Sequence, residues 1–397
     1  MTSSASSTPS GYLTEERRLI RDSARDFAMR EVLPLANRLD PEQGDMPPEL
    51  LQKMADLGYF GITIAEEYGG QGLGCFEYCL IAEELSRAWM SVASVIARGN
   101  SFMGSQLLSE QQKREIFPRV ARGEYLGALA LSEPNTGSDL ASVSCRARRS
   151  GEGWSITGSK YWCTFADGAD YLFVLVRTGE HIDPKRRHVG ISAFMIDKPR
   201  GALPEGVKGS PIPKIGYFGW KTWELAFDDC RVPASALIGE EGKAFAAFSR
   251  GLETYRAHTA ARAIGLARGA LEDAIAYAKE RRQFGQAIAD FQAIRFRIAT
   301  MATQVEAARQ LMYHVCSEID SGRRCDTEAA MAKLFASEMA ERVCSEAMQI
   351  FGGAGYTRLY AVERYWRDAR LTRIFEGTSE IQQRIISDQL LGRSRDS

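Results

Sequence analysis

The chain predicts a multi-domain α+β protein in which a β-rich middle is flanked by two helical parts. Three observations carry that expectation. Apolar residues recur with helical spacing from Leu13 to about Arg122. At Tyr125 the pattern changes to short β-rich runs punctuated by Gly, Asp and Pro, lasting to about Leu237. Beyond Gly239 long helical periodicities fill the chain almost to its end. The expected divisions are a disordered tail over 1–12, a helical domain over 13–124, a β domain over 125–238 and a helical bundle domain over 239–397. There is no internal repeat and no βαβ rhythm, which argues against a Rossmann sheet.

The elements follow in order. Glu15 to Leu39 sets Leu19, Ile20, Phe27, Val32 and Leu35 on one side, with Arg and Asp on the other. Pro47-Pro48 opens a second helix carrying Leu50, Leu51, Met54 and Leu57. The run Tyr68 to Gly74 reads as a flexible glycine loop, because no Lys-Ser/Thr follows it as a phosphate cradle requires. Helices are expected over Cys79–Ala97 and Glu110–Ala121. Strands are expected over Leu126–Leu131, Val143–Arg148, Trp154–Ile156, Tyr171–Val176, Val189–Ile196 and Trp223–Phe227, as an antiparallel sheet or barrel. His181 to His188 reads as an exposed basic loop. Helices follow over Phe245–Arg281, Phe291–Ser321, Thr327–Phe351 and Ala361–Asp368, the long ones suggesting a bundle.

Composition bounds the function. The chain has 397 residues, 45% of them hydrophobic and 25% charged, with a net charge of −1. Such a balance gives no general attraction to nucleic acid or to an anionic membrane. No apolar run is long enough to span a bilayer, and the first ten residues lack signal- and transit-peptide features. A soluble protein of the cytoplasm or an organelle matrix, not a secreted one, is expected. Eight cysteines are scattered singly; only Cys75 and Cys79 are close, without a second pair or a neighbouring histidine, so no structural metal is expected.

One stretch near the C-terminus bears the chemistry: Arg373-Ile374-Phe375-Glu376-Gly377-Thr378-Ser379-Glu380-Ile381-Gln382. Thr378 or Ser379 can cap a helix whose first turn holds Glu380 or Ile381, leaving Glu376 on a tight loop. Alone, this string is also that of an ordinary capped surface helix. Four further strings accompany it. They are Ala128 to Asp139 (ALALSEPNTGSD), Gly158 to Thr164 (GSKYWCT), Glu280 to Gly285 (ERRQFG) with Gln292, and Gln349 to Tyr356 (QIFGGAGY). Exposed amides and hydroxyls suit the first to a polar ring edge or a phosphate. Arginine in the third offers paired donors to a pyrophosphate, and the glycines of the fourth permit close approach of backbone to a ligand.

With those strings in this order, nearly the whole chain resembles the acyl-CoA dehydrogenase family. The resemblance implies a helical N-terminal domain, a central β-barrel or sandwich and a C-terminal four-helix bundle, with FAD as cofactor. It implies that Leu131, Ser132, Trp162 and Thr164 contact the flavin, Trp162 by packing on its face and Thr164 near N5. It places Arg281, Phe284, Gln292, Gln349 and Gly353 on the FAD of a neighbouring subunit, and Thr378 and Glu380 beside the cofactor. A homodimer or dimer-of-dimers tetramer follows. Phe165 stands where relatives carry a polar residue.

Glu376 is then the base that removes a proton α to a thioester carbonyl while hydride leaves the β carbon. A carboxylate withdrawn from water is a stronger base because desolvation raises its pKa. Some relatives carry the base on an earlier helix, where this chain has Tyr255, a poor base at its ordinary pKa near 10. Ser138, Arg256 and Gly377 are expected at the acyl-CoA. Arg256 has an alternative as a salt-bridge partner of Glu253.

Arg98 falls where medium-chain relatives place an acidic residue. Pointing inward it would receive a carboxylate or other polar end of the substrate; pointing outward it would snorkel to solvent. The stretch Ile215 to Phe227 resembles members acting on branched dicarboxylic acyl-CoAs such as methylsuccinyl-CoA. Chain length, branching and CoA against a carrier-protein thioester stay open. The resemblance further implies an electron-transferring flavoprotein as electron acceptor. Rival readings are an acyl-CoA oxidase, a flavin monooxygenase, which normally lacks the carboxylate, and a catalytically silent relative binding nucleic acid. The last would need a basic surface that the composition does not offer.

Overall fold

The computed structural model describes residues 11–100, 105–179, 186–245 and 251–393. The expected tail up to residue 10, residues 180–185 of the basic loop with His181, and residues 246–250 of the expected long helix lie outside the described residues.

The helical N-terminal part follows the expected periodicity. Helix α1 (Glu15–Phe27) starts at Thr14, whose hydroxyl accepts the Arg17 N–H. A π-helical turn over Ala28–Val32 joins it to α2 (Leu33–Leu39), and α3 (Pro48–Asp56) opens on the proline pair. The glycine run is a loop after a short turn over Glu66–Tyr68, and a Cβ on Gly70 would fall 2.0 Å from the Ile64 carbonyl oxygen. The next element differs from the expected Cys79–Ala97 helix. Helix α4 (Cys75–Ala88) begins four residues earlier and is buried throughout. It stops at Trp89, whose extended backbone (φ −157°, ψ 114°) re-aims the chain into α5 (Met90–Val95) and α6 (Ala97–Asn100). That break puts Ser94 against the C-terminal helices, where it accepts from Arg262. Helix α7 (Glu110–Ala121) carries a capping box of Ser109 and Gln112.

The β strands are β1 (Gly127–Ala130), β2 (Arg146–Ser150), β3 (Gly153–Thr164), β4 (Tyr171–Arg177), β5 (Ile191–Asp197), β6 (Val207–Pro211), β7 (Thr222–Pro233) and β8 (Leu237–Ile238). They form one sheet in the order β6-β7-β3-β2-β4-β5-β8, with β1 added on β4. The expectation of an antiparallel sheet holds for most pairs, but β1 and β2 each lie parallel to β4. Strands β6 and β8 escape the sequence pattern, since β6 (VKGSP) is exposed beyond Val207 and β8 is two residues long. Strand β3 is four times the expected length. Its β7 pairing shifts register between Lys160 and Cys163, two residues opposing one, which is a β-bulge.

The C-terminal part is helical: α8 (Leu252–Glu280), α9 (Gln292–Asp320), α10 (Asp326–Phe351), α11 (Val362–Thr372) and α12 (Ser379–Leu390). Between α8 and α9 the two-residue strands β9 (Arg282–Gln283) and β10 (Gln286–Ala287) pair around Phe284-Gly285. Both turn residues have positive φ, 51° and 79°, as a two-residue hairpin requires. Helix α8 is the hub, packing on α4, α9, α10 and α11. Its inner face is alanine-rich: Ala257, Ala260, Ala261, Ala263, Ala267, Ala270 and Ala274 are all fully buried, letting neighbouring helices approach closely. The eight cysteines are free and buried. Cys316 of α9 joins the pair visible in sequence, the Sγ atoms of Cys75, Cys79 and Cys316 lying within 4.8 Å of one another. No helix among the described residues is long and apolar enough to cross a membrane.

Candidate active site

Glu376 sits on the loop between α11 and α12 in a left-handed backbone conformation (φ 53°), followed by Gly377 (φ 88°). A non-glycine residue held there stores strain, which the surroundings must impose. They do so through several bonds. The Ser379 N–H donates to the Arg373 carbonyl at 3.0 Å. The Gly377 carbonyl accepts from Lys333 Nζ at 2.5 Å and from Gln382 Nε2 at 3.0 Å. The Thr378 hydroxyl caps α12 by accepting the Ile381 N–H. Lys333 is fully buried, and burial lowers its pKa to about 8.

The Glu376 carboxylate is bound at one oxygen. Arg262 Nη2 and the Thr259 hydroxyl of α8 both donate to Oε2. The Arg262 side chain is 1% exposed and that of Glu376 36%, so this carboxylate rests on a guanidinium with one flank open to solvent, and the expected dry pocket around it is absent among the described residues. Arg262 Nη1 donates to Ser94 Oγ at 2.8 Å, and its guanidinium lies 4.8 Å from the Phe375 ring centre. Its Nε is buried without a partner. Sequence reading missed Arg262 and Thr259; the signal was a solitary arginine inside a run of buried alanines.

Arg98 turns inward. Its Nη2 lies 3.4 Å from the Thr164 carbonyl oxygen and its guanidinium 5.3 Å from the Trp220 ring. Its Nε is buried without a partner. Two phenols stand between Arg98 and Glu376. Burial raises the Tyr217 pKa to about 12, with Arg262, Glu376 and Arg98 all acting on it and Ser94 hydrogen-bonded to it. Burial and the Glu376 charge push Tyr255 well above the ordinary phenol value, with Arg98 opposing. Tyr255 therefore stays protonated. Tyr217 (φ 60°) is held by its own backbone: its N–H donates to Asp368 Oδ1 at 2.6 Å, and its carbonyl accepts from Lys214 Nζ at 2.8 Å. His258 is buried beside these groups, stacked on Tyr78, and burial depresses its pKa, leaving a neutral ring 3.0 Å from the Ala93 carbonyl oxygen.

Arg256, one turn before Thr259, pairs with Asp326 at the start of α10 (3.2 Å). The alternative pairing with Glu253 is replaced, because Asp326 meets the guanidinium from a neighbouring helix while Glu253 faces Arg324 at 3.8 Å. Ser138 is exposed on the loop after the Glu133–Thr136 bridge.

The other strings separate into two places. At the end of β1 the Leu131 carbonyl accepts from Lys160 Nζ (3.0 Å) and the Ser132 carbonyl from the Tyr161 N–H (2.8 Å). Lys160 and Glu133 form a buried pair at 2.9 Å that fixes this strand end. On the β3 bulge Trp162 has a positive φ (63°) and is 56% exposed, a strained aromatic displayed outward. The Thr164 hydroxyl is 3.0 Å from that of Thr222. Phe165 is buried, φ 71°, against Trp220, so the residue replacing the family's polar side chain packs into protein. Arg281, Phe284, Gln292, Gln349 and Gly353 occupy the far end of α8 and α10, all exposed. Nineteen residues of helix separate Arg262 from Arg281, about 28 Å at 1.5 Å per residue.

The three parts of the chain match the N-terminal, middle and C-terminal domains of acyl-CoA dehydrogenases over residues 14–124, 128–230 and 242–391. The chain belongs to the acyl-CoA dehydrogenase family, whose members are flavin-dependent oxidoreductases. It is 39% identical over 389 residues to a (2S)-methylsuccinyl-CoA dehydrogenase of Cereibacter sphaeroides, covering 96% of this chain and 70% of that one. It is 40% identical to a subunit (CarC) of the caffeyl-CoA reductase-Etf complex of Acetobacterium woodii, covering 96% and 99%. The butyryl-CoA dehydrogenase of Megasphaera elsdenii superposes with a TM-score of 0.89 at 35% identity, covering 96% and 99%.

Proposed function

We propose that the protein dehydrogenates an acyl-CoA between its α and β carbons, with FAD as cofactor and Glu376 as base. The observation that carries this is the Glu376 carboxylate, held on a strained loop by Arg262 and Thr259 and open on one flank. The residues present fit a flavin. Trp162 offers an exposed ring on the β3 bulge, and Thr164 a hydroxyl two residues further along the strand. Leu131, Ser132, Trp162 and Thr164 would hold the ring system, with Thr378 and Glu380 beside it. FAD, when bound, supplies the two-electron acceptor for the hydride that leaves the β carbon.

The chain's own work is proton removal and orientation. Glu376 takes the α proton, and its own backbone N–H would donate to the thioester oxygen, where enolate charge develops. Tyr217 and Tyr255, kept neutral by burial, line the acyl group without competing as bases. Arg256 fixes α8 through Asp326. Gly377 and Ser138 would meet the acyl-CoA. The cationic lining of Arg98 and Arg262 favours a branched or dicarboxylic acyl group.

Arg281 stands about 28 Å along α8 from Arg262, the partner of Glu376, and Phe284, Gln292, Gln349 and Gly353 belong with Arg281 on this reading. They would serve the FAD of a second copy in a dimer or dimer-of-dimers tetramer built from the domains 13–124, 125–238 and 239–397. An electron-transferring flavoprotein is the proposed acceptor, supported by the naming of an Etf complex for a relative. The test is anaerobic flavin absorbance against straight, branched and dicarboxylic acyl-CoAs from short to long. Rapid bleaching by one subset is expected; purified protein without flavin, or flavin that no ester bleaches, overturns the reading.

A further inference from the structure

The pocket around Tyr217 is out of electrical balance. Arg98, Arg262 and Glu376 all act on that one phenol, so two guanidinium groups face a single carboxylate. The other groups packed there do not restore the balance: Asp368, on the Tyr217 N–H, already faces Lys214, Arg364 and Arg367. Tyr217 and Tyr255 are neutral phenols, His258 is a neutral ring, and Lys333 adds a further cation, itself near Glu338 and Glu380. Both arginines keep an Nε buried and unpartnered. A buried guanidinium with spare donors is costly to leave so. The acyl end of an incoming thioester is the one ligand that must enter this space.

We propose that Arg262 is a specificity-determining residue that takes a carboxylate carried on C4 of a short acyl chain, with Arg98 supplying the balancing charge. This rests on the dehydrogenation reading above. The placement follows from the base. Glu376 must touch C2 to remove its proton, and Arg262 touches Glu376. C4 lies two C–C bonds of about 1.5 Å beyond C2, and a guanidinium–carboxylate contact closes at about 2.7–2.9 Å. A carboxylate at C4 is therefore within range of Arg262 when the chain turns toward it, whereas a methyl in its place leaves the spare donors unpaired. Two cations then face two anions. The incoming carboxylate shares a guanidinium that Glu376 alone among carboxylates otherwise engages, beside the hydroxyls of Ser94 and Thr259, so the correct acyl group loosens the clamp on the base as it binds.

The experiment uses the FAD-loaded protein with methylsuccinyl-CoA and 2-methylbutyryl-CoA, which differ by a C4 carboxylate against a C4 methyl. Anaerobic flavin reduction should favour the dicarboxylic ester at least 100-fold in kcat/KM, and Arg262→Gln should collapse that ratio about 100-fold. An equal loss on both esters would leave Arg262 as a mere prop for Glu376 and overturn the proposal. A binding arm on the unmutated protein guards against a variant that fails to fold. The unsaturated product mesaconyl-CoA should perturb the flavin spectrum with at least tenfold lower Kd than 2-methylcrotonyl-CoA, and equal affinities overturn the proposal. Bleaching by the monocarboxylic ester alone refutes the C4 carboxylate while dehydrogenation stands. No bleaching by any ester refutes dehydrogenation, and the same binding comparison repeated on Arg262→Gln then decides the role of Arg262: loss of the mesaconyl preference is expected, and a preference kept at full size overturns the proposal.

Discussion

The two ends of α8 are built on opposite terms. At the inner end the functional side chains are satisfied within the chain: Glu376 by Arg262 and Thr259, Arg256 by Asp326, the Tyr217 backbone by Asp368 and Lys214. At the outer end the functional candidates are presented bare. Phe284 is 93% exposed on a left-handed turn, Tyr356 is 85% exposed, and Arg281, Gln292, Gln349 and Gly353 stand around them. An exposed aromatic cluster of this kind marks a surface made for a partner. One end is preorganised for chemistry; the other is the end proposed to meet a second copy and its cofactor.

Substitutions at the two ends should therefore fail differently. The largest effect belongs to Glu376→Gln, which keeps shape and removes the base. FAD and acyl-CoA should stay bound while anaerobic flavin reduction slows about 10³- to 10⁴-fold, the usual worth of a positioned general base. Flavin bleaching at the normal rate would move the base elsewhere, first to the segment from Glu253 to Arg256. At the outer end Arg281→Glu sets a carboxylate against the proposed pyrophosphate. Flavin retained after gel filtration should fall about tenfold and light scattering should report smaller assemblies, while the flavin that stays bound is still bleached by substrate. Full flavin with a rate loss like that of Glu376→Gln would erase the distinction between the ends.

How much of this could be read from residues alone also divides between the ends. The outer cluster was legible because it lies in two compact strings, Glu280 to Gly285 and Gln349 to Tyr356, each near a helix terminus where glycine and a tight turn leave a mark. Glu376 was legible for the same reason. The clamp on it was not, because Thr259 and Arg262 lie 117 and 114 residues away, on a helix whose alanine-rich face looks like plain packing. Arg98 was half legible: its residue type raised the question, and only the break at Trp89, which no propensity signals, decided that it turns inward. In the sheet, β3 was under-read because Gly158 and the bulge interrupt the alternation on which strand recognition depends.

The smallest effect concerns a third group of the inner end that, like the Nε atoms of Arg98 and Arg262, lacks a partner. Asp368 accepts the Tyr217 N–H on Oδ1, but Oδ2 is buried without a partner. Burial, with Asp40 close by, raises its pKa to about 7, against the opposing pull of Arg367, the Tyr217 N–H and Arg364. Between about pH 4, where an unfolded aspartate ionises, and pH 7 the native state holds a proton that the unfolded chain has released, so stability falls as pH rises through that window. Asp368→Asn keeps the acceptor for Tyr217 and removes the titration. Denaturation should show the variant more stable than the parent by on the order of 1 kcal/mol at pH 8, with the difference shrinking toward pH 4. A variant less stable at pH 8 would mean that the carboxylate is charged in the native state and held by Arg364 and Arg367.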